Sequence, residues 1–136
     1  MKILSFIKPK SEVVFVYRDD TVKDALAKLE KTRFSSIPIL DREGYYVGTL
    51  AEGDLLWGIK EISNFNVNHA DNLLISNFKR HRDYLAINID ANMDELISKA
   101  MNENFVPVVD SHNLFIGIVT RKSIINYFLE HNFIVL

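Results

Sequence analysis

The chain contains no cysteine, which excludes a disulfide framework and any thiolate metal site. It has 16 lysine and arginine residues and 18 acidic residues, a net charge of −2. This balance does not indicate a basic surface that would attract nucleic acid or an anionic membrane. No apolar run reaches the roughly 18 residues of a membrane-spanning helix, and Lys8, Pro9 and Lys10 interrupt the opening apolar stretch too early for a signal peptide. We therefore expect a cytoplasmic protein that binds neither nucleic acid nor membranes.

Motifs of enzymatic and metal chemistry are missing as well. The sequence has no Gly-x-x-x-x-Gly-Lys phosphate loop, no Ser/His/Asp grouping and no pair of carboxylates placed on a common face. The four histidines lack partners at metal-ligand spacing: His69, His81, His112 and His131. We therefore expect no catalytic residue, no metal and no resident cofactor, and thus a protein that is not an enzyme.

The chain does repeat itself at a fixed interval. The segment Ser36–Asp41 (SIPILD) recurs 69 residues later as Phe105–Asp110 (FVPVVD), and Gly48 recurs as Gly117 with the same offset. Because an internal repeat indicates two similar structural units, we expect a first domain at residues 1–63, a connector at 64–77 and a second domain at 78–136.

Each copy predicts the same order of elements. In the first copy, a β-branched and aromatic run at residues 13–17 precedes an amphipathic helix that Thr21 caps. Two apolar strands at residues 37–40 and 45–50 flank a tight turn, and a helix at residues 52–59 closes the copy. The helical spacing is followed by Val22, Ala25, Leu26 and Leu29.

The second copy repeats this order. Asn92 precedes a helical stripe, strands follow at residues 107–109 and 114–119, and a helix at residues 122–128 ends the copy. The connector at residues 64–77 carries apolar side chains that need burial, so it is expected to contain a short helical piece and not to be a flexible linker. The sequence thus predicts an α/β (α+β) fold made of a tandem pair of β-α-β-β-α units.

The repeated motif resembles that of the CBS-domain family. Each copy has an apolar-Pro-apolar-apolar-Asp strand followed by a strand-to-helix turn, which reads GTLAEGD at Gly48–Asp54 and GIVTRKS at Gly117–Ser123. The resemblance covers essentially the whole chain and is to the small stand-alone CBS pairs of Gram-positive bacteria. It implies two units packed through their sheets with pseudo-twofold symmetry, and a disc-like homodimer.

The resemblance also implies that adenine nucleotides bind in clefts between the two halves. In the family a threonine at the turn meets phosphate, an aspartate three residues later meets the ribose hydroxyls, and the proline-bearing strand borders the adenine. The second copy keeps Thr120 but has Ser123 for the aspartate, whereas the first keeps Asp54 but has Ala51 for the threonine. A helix N-terminus offers unpaired N–H groups and a positive dipole end to phosphate.

The second site is predicted to be the better one. Arg121 and Lys122 lie in a first helical turn, where a cation opposes the helix dipole and gains little for folding. Basic residues after the threonine also occur in relatives that sense cyclic di-AMP, which favours a dinucleotide there. The predicted residues of this better site are Val106, Pro107, Thr120, Arg121, Lys122 and Ser123. Those of the weaker site are Ile37, Pro38 and Asp54.

Each of these features also has a structural alternative. Thr120 and Ser123 are common helix-capping residues, and Asp54 occupies a position where the helix dipole favours an exposed acid. The two prolines fit the start of an edge strand, where the missing N–H breaks no ladder hydrogen bond. The basic run Lys79–Arg82 either reaches an anionic ligand or nucleic acid, or is solvated surface like most short charge runs.

We therefore expect a regulatory module that binds AMP, ADP, ATP or cyclic di-AMP and signals to an unidentified protein in trans. The alternative is a protein-interaction module with degenerate ligand sites. Homodimerisation is expected because the closing helices carry more apolar surface than two thin sheets can cover. The residues concerned are Trp57, Ile59, Ile124, Ile125, Phe128 and Leu129, with the tail Phe133–Leu136 against that interface.

Overall fold

The computed structural model describes residues 2–61 and 72–131. The chain divides into two compact units, one of residues 14–83 and the other of residues 1–13 and 84–136. Each unit contains one copy of the β-α-β-β-α order. The α/β (α+β) fold expected from the repeat is therefore confirmed.

The first repeat forms a three-stranded sheet in the order β2-β3-β4. Strand β2 (Val16–Tyr17) pairs in parallel with β3 (Ser36–Leu40), which pairs antiparallel with β4 (Tyr46–Ala51). Helix α1 (Val22–Thr32) connects β2 to β3, and α2 (Glu52–Glu61) follows β4 directly. The apolar stripe of α1 packs on the strands, with Val22, Ala25, Leu29, Ile37, Ile39 and Leu50 among the buried residues of one core.

The second repeat contains the same elements, with one strand added from the start of the chain. Their bounds are β1 Lys8–Pro9, β5 Ile87–Asn88, α3 Met93–Asn102, β6 Val106–Val109, β7 Phe115–Val119 and α4 Arg121–Glu130. The strands form a four-stranded sheet in the order β1-β7-β6-β5. The pairs β5–β6 (parallel) and β6–β7 (antiparallel) match the first repeat, and β1 is an added antiparallel edge strand. The core of this repeat includes Ile87, Leu96, Ala100, Val106, Val108 and Val119.

The predicted caps of the first helix in each repeat are both present. The Thr21 hydroxyl accepts the Asp24 N–H at 3.2 Å at the start of α1, and the side-chain amide oxygen of Asn92 accepts the Glu95 N–H at 2.9 Å at the start of α3. Each cap satisfies a donor that has no partner within the helix. Local sequence therefore determines where these two helices begin.

The two repeats exchange their N-terminal arms. We call residues 2–13 the N-terminal arm and residues 72–83 the second arm; each contains a 3₁₀ turn, at Ile3–Phe6 and Ile75–Asn77. The N-terminal arm buries Ile3 and Phe6 in the core of the second repeat. The second arm buries Ile75 and Phe78 in the core of the first.

Because of this exchange, the compact units have other limits than the domains expected at 1–63 and 78–136. Those limits refer to the sequence repeats and stay a prediction. The short helical piece expected in the connector is the turn Ile75–Asn77. The rest of that connector up to residue 71 lies outside the described residues, as do His69 and the tail at 133–136.

The interpretation of the two prolines as edge-strand residues is wrong. Pro38 is in β3 and Pro107 is in β6, and both strands have a neighbour on each side. The missing N–H is tolerated for a different reason: β2 pairs only with Ile39 and Leu40, and β5 pairs only with Val108 and Val109. Each proline thus lies just before the part of its strand that is paired on that side, where no ladder hydrogen bond is lost.

Candidate functional site

Thr120 begins α4 and is held in a reciprocal capping arrangement with Ser123. The Thr120 hydroxyl accepts the Ser123 N–H at 3.1 Å, and the Ser123 hydroxyl accepts the Thr120 N–H at 2.9 Å. The Ser123 hydroxyl also donates to the Thr120 carbonyl at 2.8 Å. The Ser123 hydroxyl therefore both donates and accepts a hydrogen bond within the turn. This is the helix-capping role that the sequence allows for Ser123.

Thr120 has more freedom than Ser123. Its hydroxyl hydrogen points to the Ser123 hydroxyl at 3.2 Å, a longer contact than the others in the turn. Because a hydroxyl is one donor and two acceptors, Thr120 can cap the helix and still turn its hydrogen toward an anion. The capping and phosphate roles that the sequence allows for Thr120 are compatible in this geometry.

The first turn of α4 differs from that of the other α-helices in the described part of the chain. Helices α1, α2 and α3 each carry at least one acid in the first turn, as the helix dipole favours, whereas α4 carries none. It begins instead with Arg121 and Lys122, and both side chains are exposed. Two cations therefore stand beside the unpaired N–H groups of a helix N-terminus, an arrangement that attracts phosphate.

The residues of β6 in the predicted better site are buried. Val106 and Pro107 lie inside the second repeat, opposite Val119 and Ile118 on β7. Strand β7 runs straight into Thr120 and α4. The sheet thus fixes the position of the α4 N-terminus, while the role of Val106 and Pro107 in bordering an adenine stays a prediction.

The weaker site has a different geometry. Asp54 is only 4% exposed, so the expectation of an exposed early-helix acid is wrong. One of its oxygens accepts the Ala51 N–H at 3.0 Å and the other accepts the His81 N–H at 2.8 Å. The first contact is one half of a capping box, in which the Asp54 carboxylate accepts the N–H of the residue before the helix; Ala51 has no side-chain oxygen to accept the Asp54 N–H in return. The second contact ties the second arm to α2. Ile37 and Pro38 are buried in β3.

Asp83 is the residue that sequence reasoning missed. Its carboxylate accepts the Thr49 N–H at 2.9 Å and the Arg80 guanidinium at 2.8 and 3.2 Å. Burial raises the pKa of Asp83, but the hydrogen bonds from Arg80 and Thr49 outweigh it and hold this pKa below its usual value. The Arg80–Asp83 spacing is visible in the sequence, but the contact with Thr49 spans 34 residues and has no local signal.

Two residues of the basic run 79–82 form hydrogen bonds within their own compact unit. Arg80 forms the ion pair with Asp83, and this hydrogen bond raises the pKa of Arg80 against the opposing effect of burial. The His81 backbone is bound to Asp54. The run is therefore attached to the first repeat and does not form a free basic stripe.

Several apolar side chains on the closing helices are exposed. On α2, Leu56 and Trp57 are 66% and 60% exposed, and Lys60 lies over the Trp57 ring. On α4, Ile125 and Leu129 are 54% and 56% exposed. The other residues expected on this surface, Ile59, Ile124 and Phe128, are partly buried against the core of their own repeat.

Residues 2–61 and 72–131 contain neither a metal-binding cluster nor a membrane-spanning helix. No cluster of three or more histidine or acidic side chains there could hold a metal ion. None of the helices in these ranges has the length and apolar character that crossing a bilayer requires.

Sequence comparison identifies two copies of a known domain. A sequence profile of the CBS domain matches residues 5–61 and 76–130. An uncharacterised protein of Methanocaldococcus jannaschii is 26% identical over 133 residues, which are 96% of this chain and 45% of that protein. The chain spans less than half the length of the curated relatives that it matches.

Solved structures share this fold over nearly the whole length of the chain. The structure of CbpB in complex with c-di-AMP superimposes with a TM-score of 0.84 at 24% identity, covering 98% of this chain and 89% of the other. CbpB of Listeria monocytogenes, also in complex with c-di-AMP, gives a TM-score of 0.76 at 24% identity and covers 93% of this chain and 94% of the other. These similarities establish that the fold is that of stand-alone CBS-domain proteins.

Proposed function

Because the chain belongs to the CBS-domain family, we propose that it is a regulatory module that binds an adenine nucleotide and catalyses no reaction. In this proposal the nucleotide phosphate lies at the N-terminus of α4. Thr120 donates its hydroxyl hydrogen to the phosphate while still capping the helix, and Arg121 and Lys122 neutralise its charge. Val106 and Pro107 border the adenine.

The observation that carries this proposal is the absence of acid, and the presence of two exposed cations, in the first turn of α4. Cations there oppose the helix dipole, so they contribute little to the stability of the helix. A bound phosphate reverses this effect, because it interacts favourably with the helix N–H groups and with both cations. A phosphate ligand therefore accounts for two cations at this position, which folding alone does not favour.

Cyclic di-AMP is the first ligand to test, and AMP, ADP and ATP are the others. Two similar structures are complexes of CbpB with this dinucleotide. A ligand with more than one phosphate group also suits a site with two adjacent cations better than a single phosphate does. Asp54, Ile37 and Pro38 form the counterpart in the first repeat, with no hydroxyl at Ala51 to meet phosphate.

The direct test is a titration of the purified protein with each nucleotide by calorimetry. A charged hydrogen bond contributes about 1.5–3 kcal/mol, so Arg121→Ala and Lys122→Ala should each weaken binding by roughly 10- to 150-fold. Lys31→Ala is the matched control, because it removes an exposed cation from the last turn of α1. Equal losses for all three variants would show that the effect is general electrostatics and not a site.

A second candidate function follows from the exposed Leu56 and Trp57 on α2 and from Ile125 and Leu129 on α4. Apolar patches of this kind are typical of association surfaces. In our proposal they form a homodimer and a surface that an unidentified partner protein reads when nucleotide binds. If no nucleotide binds at millimolar concentration, the chain is instead an interaction module with degenerate sites.

A further inference from the structure

The two exchanged arms occupy equivalent places but are held by different chemistry. The N-terminal arm adds strand β1 to β7, with Lys8 and Pro9 opposite Ile118 and Gly117, and packs Phe6 against Tyr127 at 4.6 Å between ring centroids. The second arm adds no strand to β4. Backbone hydrogen bonds at Leu73 and Ile75 join the start of this arm to Val22 and Asp20. Its later part is fastened by two carboxylates, those of Asp54 and Asp83.

We propose that Asp54 and Asp83 fasten residues 78–83 over the start of α2 as a latch, and that the closed latch excludes a nucleotide from the first repeat. This inference rests on the proposed nucleotide-binding function. It adds that wild-type protein binds nucleotide in the second repeat alone, and that the first repeat binds one only when the latch opens.

The Asp54 carboxylate is the inner fastening. Both of its oxygens accept backbone N–H groups, from Ala51 on its own helix turn and from His81 on the arm. With 4% of the residue exposed, a ribose hydroxyl has no approach to these oxygens while residue 81 lies on them. A ligand that used Asp54 would have to displace the His81 N–H first.

The Asp83 carboxylate is the outer fastening. It accepts the Thr49 N–H from β4 and is paired with Arg80, a member of the same arm. It lies where a side chain at Gly48 would otherwise be, so the missing Cβ provides the room for this contact. Phe78 lies in the same way against Gly58 on α2. Two glycines in the first repeat thus accommodate side chains of the arm.

Hydrogen exchange tests whether the two fastenings act as one latch. In Asp83→Ala the acceptor of the His81 N–H, Asp54, is untouched, so any faster exchange at His81 reports that the arm has opened. We expect about a tenfold increase there, with no change at Ile118, the residue equivalent to Thr49 in the second repeat. Unchanged exchange at His81 would overturn the latch.

Binding stoichiometry tests whether the latch closes the first repeat. With AMP as the probe, wild-type protein should bind one nucleotide per chain and Asp83→Ala should bind two. Glu30→Gln, which removes an exposed carboxylate from α1 in the same unit, should bind one. If Asp83→Ala does not fold, Asp83→Asn serves in its place, because it removes the negative charge that pairs with Arg80 while keeping an acceptor for the Thr49 N–H.

The outcomes separate this inference from the function on which it rests. If the wild type binds no nucleotide, the proposed function fails and the inference fails with it. If wild type and Asp83→Ala both bind one nucleotide while His81 exchanges faster in the variant, nucleotide binding stands and the closure of the first repeat is overturned. Two nucleotides per wild-type chain would overturn it as well.

Discussion

The carboxylate of Asp83 lies against the Cα of Gly48. A Cβ added at Gly48 would come within 2.6 Å of the Asp83 carboxyl carbon and 2.8 Å of one of its oxygens, closer than real Cβ atoms approach other atoms. The contact joins the second arm to strand β4 across a wide separation in sequence. It explains why glycine suits this position of the first repeat, independently of any ligand.

We predict that Gly48→Ala lowers the free energy of unfolding by about 1–3 kcal/mol, because the new methyl group displaces the Asp83 carboxylate. Gly53→Ala is the control, since a Cβ there meets nothing within 4 Å. Alanine lowers the conformational entropy of the unfolded chain, so this substitution should stabilise the protein by about 0.4–1 kcal/mol. Urea unfolding measures both. In an Asp83→Ala background the cost of Gly48→Ala should shrink, and full additivity of the two costs would contradict the contact.

The elements of each repeat could be predicted from the sequence because their signals are local. The stripe that begins at Val22, and the caps Thr21 and Asn92, are read within one or two helical turns, and all three predictions are confirmed. The exchange of arms could not be predicted. Phe6 ends one short 3₁₀ turn and Phe78 directly follows another, so neither belongs to a periodic pattern. The cores that they enter are formed by the other repeat.

In the candidate site too, local features could be predicted from the sequence, whereas contacts between distant residues could not. The position of Thr120 at the start of α4 followed from the strand-to-helix motif, and the structure places it there. The burial of Asp54 did not follow, because it depends on the backbone of His81, 27 residues away. Whether the predicted site residues bind a ligand remains a prediction.

The two roles of Thr120 can be separated by comparison with a second cap. Thr120→Ala and Asn92→Ala each remove the side-chain acceptor at the start of a helix, so each should lower the free energy of unfolding by about 1 kcal/mol. Only Thr120→Ala should also weaken nucleotide binding, as measured by calorimetry. Equal affinities of the two variants would restrict Thr120 to capping.

The Asp83 carboxylate should make stability depend on pH. Its pKa is held below the usual 3.8 in the folded state, so the stabilisation is complete above the unfolded value and is lost as the pH falls through the folded value. The charged groups that act on this pair in acid are Arg80 itself and, through Arg80, Asp54.

The measurement compares the Tm of wild type and Asp83→Asn between about pH 2 and pH 7. The gap between the two proteins should be constant at the upper end and should close below about pH 4. Carboxylates outside this group of charges contribute equally to both proteins, so their contributions cancel in the difference. A gap that widens as the pH falls would mean that Asp83 is bound in its neutral form.

Association through α2 can be tested with a single substitution. Trp57 is 60% exposed, so replacing it with glutamate should leave the fold intact and, if this face is the dimer interface, convert the protein to monomers in sedimentation experiments. Met101→Glu is the matched control, because Met101 is similarly exposed on α3. Dissociation by both variants, or by neither, would argue against α2 as the interface.

The exchange of arms has a consequence for the origin of the chain. A protein with a single copy of this repeat would have no second copy in its own chain on which to bury its arm, and could place it only on another molecule. Such an ancestor would be an arm-exchanged dimer of identical chains. Duplication and fusion of its gene would keep every one of those contacts while making them independent of protein concentration, and would leave each arm free to diverge, one toward a β-strand and the other toward carboxylates.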